Sequence, residues 1–119
     1  MSSKRILSFK YALEGIWNAL KEEPNLKFHF SAGFLAIFLG ILFRITSIQW
    51  AIIILIIGLV ISVELTNTAI EAIVDSFTDK THPGAKLAKD ISAGAVLILA
   101  ITAIVIGVIV YLPYLLKFL

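Results

Sequence analysis

The chain has 119 residues, 60% of which are hydrophobic, and a formal net charge of +2. A soluble domain of this size has no use for so much apolar surface, so the composition indicates an integral membrane protein. The small net charge gives no indication of nucleic-acid binding, and the absence of cysteine excludes disulfides and thiolate chemistry. Residues 1–25 lack the continuous apolar core of a secretory signal peptide, so we do not expect one there.

Residues 6–22 form the first predicted element, an amphipathic helix. Ile6, Phe9 and Leu13 recur at the helical period, whereas Lys10 and Glu14 fall on the opposite face. We expect this helix to lie on the surface of the membrane, in the interface. An ordinary bundle helix packed on its neighbours is the alternative. The helix is expected to break at residues 22–25, because proline disfavours helix in the residue before it.

Three apolar segments follow, and they predict membrane-spanning helices at about 28–43, 48–77 and 85–112. The first is short for a bilayer, but Lys27 and Arg44 can extend from its ends toward water. Pro113 is expected to end the third helix. We find no internal repeat or linker, so the prediction is a single all-α integral membrane domain over 1–119.

The basic residues are distributed unequally between the two sides of this predicted bundle. Only Arg44 and Lys117 fall on the side of the short turn and the C-terminus. The other side carries Lys4, Arg5, Lys10, Lys21, Lys27, Lys80, Lys86 and Lys89. The positive-inside rule places that second side in the cytoplasm. All eight acidic residues are there too, so we expect any chemistry at the cytoplasmic face of the membrane.

Four polar residues line one face of the second span where it leaves the apolar run. At about 100° per residue, Glu64, Glu71 and Asp75 stack within about 40° of one another, with Asn67 about 60° to one side. Charges at a membrane boundary are costly, so a functional site is the default interpretation, and a solvated helix end is the alternative. Glu64 is the least hydrated, which suits general-base work. Glu71 suits a divalent cation, which prefers oxygen ligands.

Two further segments carry charge at the same interface. A carboxylate at Glu22 or Glu23 can help to hold a Mg²⁺ that also needs phosphate oxygens, and a charged helix end is the alternative. Lys86 and Lys89 lie on one face at the start of the third span, where a helix N-terminus favours anions. Simple positive-inside anchoring explains part of that pattern. By itself, His82 is more often explained as an ordinary loop histidine than as a ligand.

The chain contains neither a Walker-type glycine-rich loop nor a dinucleotide-binding glycine motif. Its polar segments instead resemble the small bacterial membrane lipid kinases, which comprise the prokaryotic diacylglycerol kinases and the undecaprenol kinases of Gram-positive bacteria. The resemblance covers about residues 9–112. It rests on E-L-x-N-T-A-I-E-x-x-x-D at 64–75 and on H-P-x-A-K-x-x-K-D-x-x-A-G-A-V at 82–96. Residues 23–29 resemble the undecaprenol branch in particular.

The resemblance implies three membrane helices plus a surface helix, assembled as a homotrimer with active sites between subunits. It implies transfer of the γ-phosphate of ATP to a lipid hydroxyl, with Mg²⁺. By matching position, Glu64 is the expected general base and Asn67 the expected orienting residue. Glu23 and Glu71 are the expected metal ligands.

The remaining matched positions concern the nucleotide. Lys89 is expected to neutralise phosphate charge, and Asp90 is expected to bind the nucleotide end. Two more positions match ATP contacts, namely Tyr11 and His82. A basic phosphate contact near the N-terminus falls at either Lys4 or Arg5.

We therefore expect a lipid kinase of the bacterial cytoplasmic membrane, with its site facing the cytoplasm, that converts undecaprenol to undecaprenyl phosphate. A diacylglycerol kinase that makes phosphatidic acid is the first alternative. A small non-catalytic membrane subunit or a proton-coupled transporter is an alternative of another class, because intramembrane carboxylates also occur in transporters. The polar residues stop at one interface, which favours interface chemistry.

Overall fold

The structure, a computed structural model, describes residues 3–79 and 81–119 and is all-helical over that part of the chain. Its four helices are α1 (Ser3–Glu22), α2 (Pro24–Phe43), α3 (Ser47–Phe77) and α4 (Pro83–Lys117). Helices α2, α3 and α4 are each long and apolar enough to cross a membrane. The predicted all-α membrane fold with three spans is therefore confirmed. Lys80, which we counted among the basic residues of one side, lies outside the described residues.

The break between α1 and α2 is a single residue. Glu23 has an extended backbone (φ −105°, ψ 109°) and is the N-cap of α2, which begins directly at Pro24. Proline is well suited to the first helical position, because its N–H is not needed there and its φ is already helical. The first membrane helix thus begins four residues before the predicted start at 28, and the added turn brings Leu26, which is fully buried, into the bundle.

The turn between α2 and α3 is tightly specified. Arg44 takes the left-handed conformation (φ 53°), and its N–H bonds back to the carbonyls of Gly40 and Ile41. Thr46 and Gln49 then form a capping box, in which each side chain accepts a hydrogen bond from the other residue's backbone N–H. These contacts close the two helices against each other with almost no loop.

Helix α4 continues to Lys117, so the prediction that Pro113 ends it at about 112 is wrong. Proline removes one backbone hydrogen bond, but contacts of the following turn offset that loss. The Tyr114 hydroxyl donates to Oε1 of Gln49 at 2.7 Å, and its ring stacks on Phe43 with the centroids 5.7 Å apart. Phe118 also packs on Phe43. Tertiary packing therefore extends the helix past a local breaker.

The bundle has a thin core and a large apolar exterior. Helix α3 packs most extensively on α4, and α2 packs beside them. The buried cluster at the turn end consists of Ile45, Ile53 and Val110. Many large apolar side chains of α2 to α4 are exposed, which a bilayer accommodates and water does not.

Helix α1 contacts α2 and α3 but buries no residue completely. Phe9, Leu13 and Trp17 remain about 60% exposed, at 63%, 67% and 59%. Side chains of this kind are left available to lipid or to another subunit. The interfacial position of α1 stays a prediction.

The length of α3 places its polar end at the membrane boundary. Thirty-one residues span about 46 Å, which exceeds the roughly 30 Å hydrocarbon core. If α3 enters the core near Ser47, it leaves the core near Glu64 and Asn67. Glu71 and Asp75 then lie in the headgroup layer or in water.

Candidate active site

The centre of the polar region is a buried pair on α3. Glu64 is 2% exposed and Asn67 is 8% exposed. Oε2 of Glu64 and Oδ1 of Asn67 are buried without a hydrogen-bond partner among the described residues. Buried polar atoms without partners cost free energy, which the fold tolerates chiefly where the atoms have a function. The two residues to which the resemblance assigns catalytic roles are thus, with Ser92, the buried polar residues of the described bundle.

A histidine that we did not select from the sequence lies beside this pair. His29, on α2, places Nε2 at 3.6 Å from Oε2 of Glu64. The distance is slightly long for a hydrogen bond but short enough for an ion pair if the imidazole is protonated. A polar residue in an otherwise apolar span is a functional candidate by default, and that rule, applied to 28–43, identifies His29 from the sequence.

Two more carboxylates lie around Glu64. Glu23 and Glu71 are both close enough to interact electrostatically with it, from the start of α2 and from the next turns of α3. Both are half-buried. Although Glu23 is the N-cap of α2, its side chain makes no capping hydrogen bond, so the carboxylate is not occupied by the helix. The structure therefore brings together the two acids predicted as metal ligands.

This donor set fits Mg²⁺ in the form in which it accompanies ATP. No group of three or more histidine, cysteine or acidic side chains within 3–79 and 81–119 is arranged to hold a metal ion. Mg²⁺ commonly uses only one or two protein carboxylates and completes its shell with water and substrate phosphates. The two carboxylates Glu23 and Glu71 meet that requirement when a substrate supplies the phosphate oxygens.

A cationic region follows on the water side. Nζ of Lys89, on α4, lies 2.9 Å from Oδ1 of Asp75, on α3. Lys89 also interacts electrostatically with Glu71 and Asp90. Lys86 pairs with Asp90 at 2.6 Å one turn along α4. Lys89 thus links the acidic stripe of α3 to the start of α4, and a cavity of about 250 Å³ opens beside Asp75, Lys86 and Lys89.

The other residues predicted to contact the nucleotide lie at the periphery. His82 is the N-cap of α4, where Nδ1 accepts a hydrogen bond from the backbone N–H of Ala85 at 3.2 Å. Its side chain is exposed, as is that of Asp90. Tyr11 is 62% exposed on α1. Lys4 and Arg5 lie in the first turn of α1 and are exposed.

An apolar groove of about 270 Å³ runs between α2, α3 and α4, with His29 among its lining residues. Small side chains shape two of its walls, among them Gly33, Ala36, Ala103 and Gly107. The carbonyl of Ala36 accepts the Tyr111 hydroxyl at 2.6 Å at the far end. The groove gives an apolar molecule a place beside the buried carboxylate.

The arrangement thus has three zones in order of depth. An apolar zone lies below Glu64 and Asn67, a zone of carboxylates surrounds Glu64, and a zone of lysines faces water. This order of zones suits a reaction between an amphiphile held in lipid and an anionic molecule that arrives from water. A carboxylate can accept a proton and lysines can neutralise phosphate charge, and neither role requires a nucleotide-binding fold.

Comparisons with known proteins agree with this reading. A family model described as prokaryotic diacylglycerol kinase matches residues 10–111. The chain is 46% identical over 106 residues to the undecaprenol kinase of Bacillus subtilis, an alignment that covers 89% of this chain and 86% of that protein. It is 38% identical over 113 residues to the diacylglycerol kinase of Synechocystis sp., covering 94% of this chain and 65% of that protein. The resemblance described from the motifs is thereby confirmed, and the chain belongs to the prokaryotic diacylglycerol kinase family of membrane lipid kinases, which take phosphate from ATP.

Proposed function

We propose that this protein transfers the γ-phosphate of ATP to undecaprenol. The observation that carries the proposal is the 46% identity to an undecaprenol kinase across most of both chains. The groove beside His29 supports it, because a polyprenyl alcohol is apolar apart from its hydroxyl and can keep its tail in lipid while the hydroxyl reaches Glu64.

Glu64 is the proposed general base. Its carboxylate accepts the proton of the lipid hydroxyl as the hydroxyl oxygen forms a bond to the γ-phosphorus and the bond from that phosphorus to the bridging oxygen of ADP breaks. Asn67 lies one turn along α3 and is also buried, and we propose that it orients the reacting groups. Most of the catalytic effect in phosphoryl transfer comes from positioning and charge neutralisation, which are the roles proposed for these residues.

Glu23 and Glu71 are the proposed ligands of Mg²⁺, which supplies charge neutralisation for the phosphates of ATP when it is bound. Lys89 is the proposed cation for the transferred phosphate, and Asp90, His82 and Tyr11 are proposed to contact the nucleotide. Three of these residues are exposed in a single chain, namely Tyr11, His82 and Asp90. A site completed by a second subunit of a homotrimer accommodates that exposure, and it is part of the proposal.

The experiment is a direct comparison of lipid substrates. The purified protein in mixed micelles receives Mg-ATP and either undecaprenol or diacylglycerol at equal mole fraction, and initial rates of lipid phosphorylation are measured. We expect a clearly higher kcat/KM for undecaprenol. The second candidate function, a diacylglycerol kinase, is favoured by the 38% identity to such an enzyme, and the reverse preference would establish it in place of the first.

A further inference from the structure

His29 is a partly buried titratable group beside the proposed base that the proposed mechanism leaves without a role. It belongs to α2, two turns below the N-cap Glu23, and its side chain is 15% exposed. The ring makes an edge-on contact with Phe28, with the centroids 5.6 Å apart. Its Nε2 atom lies 3.6 Å from Oε2 of Glu64 across the α2–α3 interface.

The carboxylate on the other side of this contact needs a donor. Oε2 of Glu64 is buried and has no hydrogen-bond partner in the described part of the chain, so His29 Nε2 is the N–H-bearing atom placed to serve it. An unpaired buried carboxylate oxygen costs free energy and leaves the side chain free to rotate. A donor on one oxygen holds the carboxylate as an anion and directs its other oxygen away from the donor.

We propose that His29 is a positioning residue for phosphoryl transfer, whose Nε2–H donates to Oε2 of Glu64 and so aims Oε1 at the hydroxyl of the lipid substrate. The contact tightens from 3.6 Å to hydrogen-bond length when substrate binds. The inference rests on the proposed role of Glu64 as the base. In this role His29 orients the base, and it neither touches phosphate nor takes the substrate proton.

The alternative is a structural role, in which the imidazole only fills space at the end of the apolar groove. Two amides separate the alternatives, because the side-chain nitrogen of glutamine reaches approximately the position of Nε2, whereas that of asparagine reaches approximately the position of Nδ1. We expect His29→Gln to retain kcat within severalfold of the wild type. We expect His29→Asn and His29→Leu to lower kcat by about 10- to 100-fold, which is the usual cost of a misplaced catalytic group.

The second readout is which kinetic constant changes, kcat or KM. The KM for Mg-ATP and the KM for the lipid should stay within about threefold in all three variants, because the orientation of the base affects the chemical step. Ser31→Ala is the matched control on the same helix, since its hydroxyl is exposed and bonds only to the carbonyl of Lys27. Its kinetics should equal those of the wild type. Thermal melting in detergent identifies any variant that fails to fold, and the glutamine and asparagine variants differ by one methylene only.

A double variant shows whether His29 acts through Glu64. In a Glu64→Gln background, His29→Leu should cause little further loss, because the group that it positions is already absent. The inference is overturned if His29→Leu keeps wild-type kcat, if the asparagine variant matches the glutamine variant, or if the losses in the double variant are additive. Failure of the proposed function has a different signature, since wild-type protein would then prefer diacylglycerol or Glu64→Gln would remain active.

Discussion

Lys89 on α4 holds Nζ 2.9 Å from Oδ1 of Asp75 on α3, fourteen residues earlier in the chain. The lysine is therefore fixed by one carboxylate while it lies in the field of a second, that of Glu71. A long, flexible ammonium group loses less freedom on binding phosphate when a partner already orients it. Asp75 has no role by matching position, and we expect it to orient Lys89.

The Lys89–Asp75 pair predicts a specific pattern of coupling. Lys89→Ala should lower kcat/KM for ATP by about 10²- to 10³-fold, because a preorganised cation is lost. Asp75→Ala should raise the KM for ATP only severalfold, and it should have no further effect when Lys89 is already alanine. Steady-state kinetics of the two single variants and the double variant measure this. Both side chains are partly exposed, so we expect their pairing to contribute little to stability.

Replacement of the proposed base should remove activity and keep the fold. Glu64→Gln is expected to lower kcat by about 10²- to 10⁴-fold, the usual contribution of a general base. The amide occupies the same space and removes a buried charge, so the melting temperature should not fall. Glu14→Gln is the control, because Glu14 is exposed on α1 and, within the described residues, forms only a 3.9 Å pair with Lys10. Wild-type phosphorylation rates in Glu64→Gln would rule out the assignment.

Replacement of the proposed Mg²⁺ ligands should change the Mg²⁺ concentration that activity requires. Glu23→Gln and Glu71→Gln should each raise the Mg²⁺ concentration for half-maximal activity by at least about tenfold. Glu22→Gln changes the exposed neighbouring acid and should leave that concentration unchanged. The measurement is a Mg²⁺ titration at fixed, saturating ATP. An unchanged Mg²⁺ requirement together with lower kcat would contradict the assignment of these two residues.

The close packing of α2 on α3 near their connecting turn requires a glycine at position 40. A methyl group at Gly40 would lie 2.6 Å from Cη2 and 2.9 Å from Cζ2 of Trp50, so the indole ring would have to move. Gly40→Ala should therefore destabilise the protein by about 1–3 kcal/mol. Apart from its own turn of helix, a methyl group at Gly58 would meet no described atom within 4 Å, so Gly58→Ala should stabilise α3 slightly by its better helix propensity. Thermal melting of the two variants in the same detergent compares them directly.

The orientation in the membrane can be read by cysteine labelling, since the chain contains no cysteine of its own. With the topology predicted from the basic residues, Thr81→Cys lies on the cytoplasmic side and Ser47→Cys on the opposite side. A membrane-impermeant maleimide applied to intact cells should label the cysteine at 47 and should label the one at 81 only after permeabilisation. The opposite pattern would reverse the topology and move the site to the outer face.

Much of this protein follows from local patterns in the sequence. The composition and three apolar segments predict a membrane bundle because no other environment accommodates so much apolar surface, and the structure confirms it. Helical periodicity places Glu64, Glu71 and Asp75 on one face of α3, since that relationship depends only on the geometry of a single helix. The family was likewise predicted from two motifs within α3 and α4 and the turn between them, and it is confirmed.

Contacts between helices were decided by the tertiary structure. The approach of His29 to Glu64, the pairing of Lys89 with Asp75 and the passage of α4 through Pro113 depend on how the helices rotate and pack against one another. Periodicity within one helix carries no information about that rotation, because many side chains distributed over all the helices set it together. Helical periodicity therefore predicts which residues share a helix face at the membrane boundary, whereas the packing of α2, α3 and α4 sets which side chains on different helices meet.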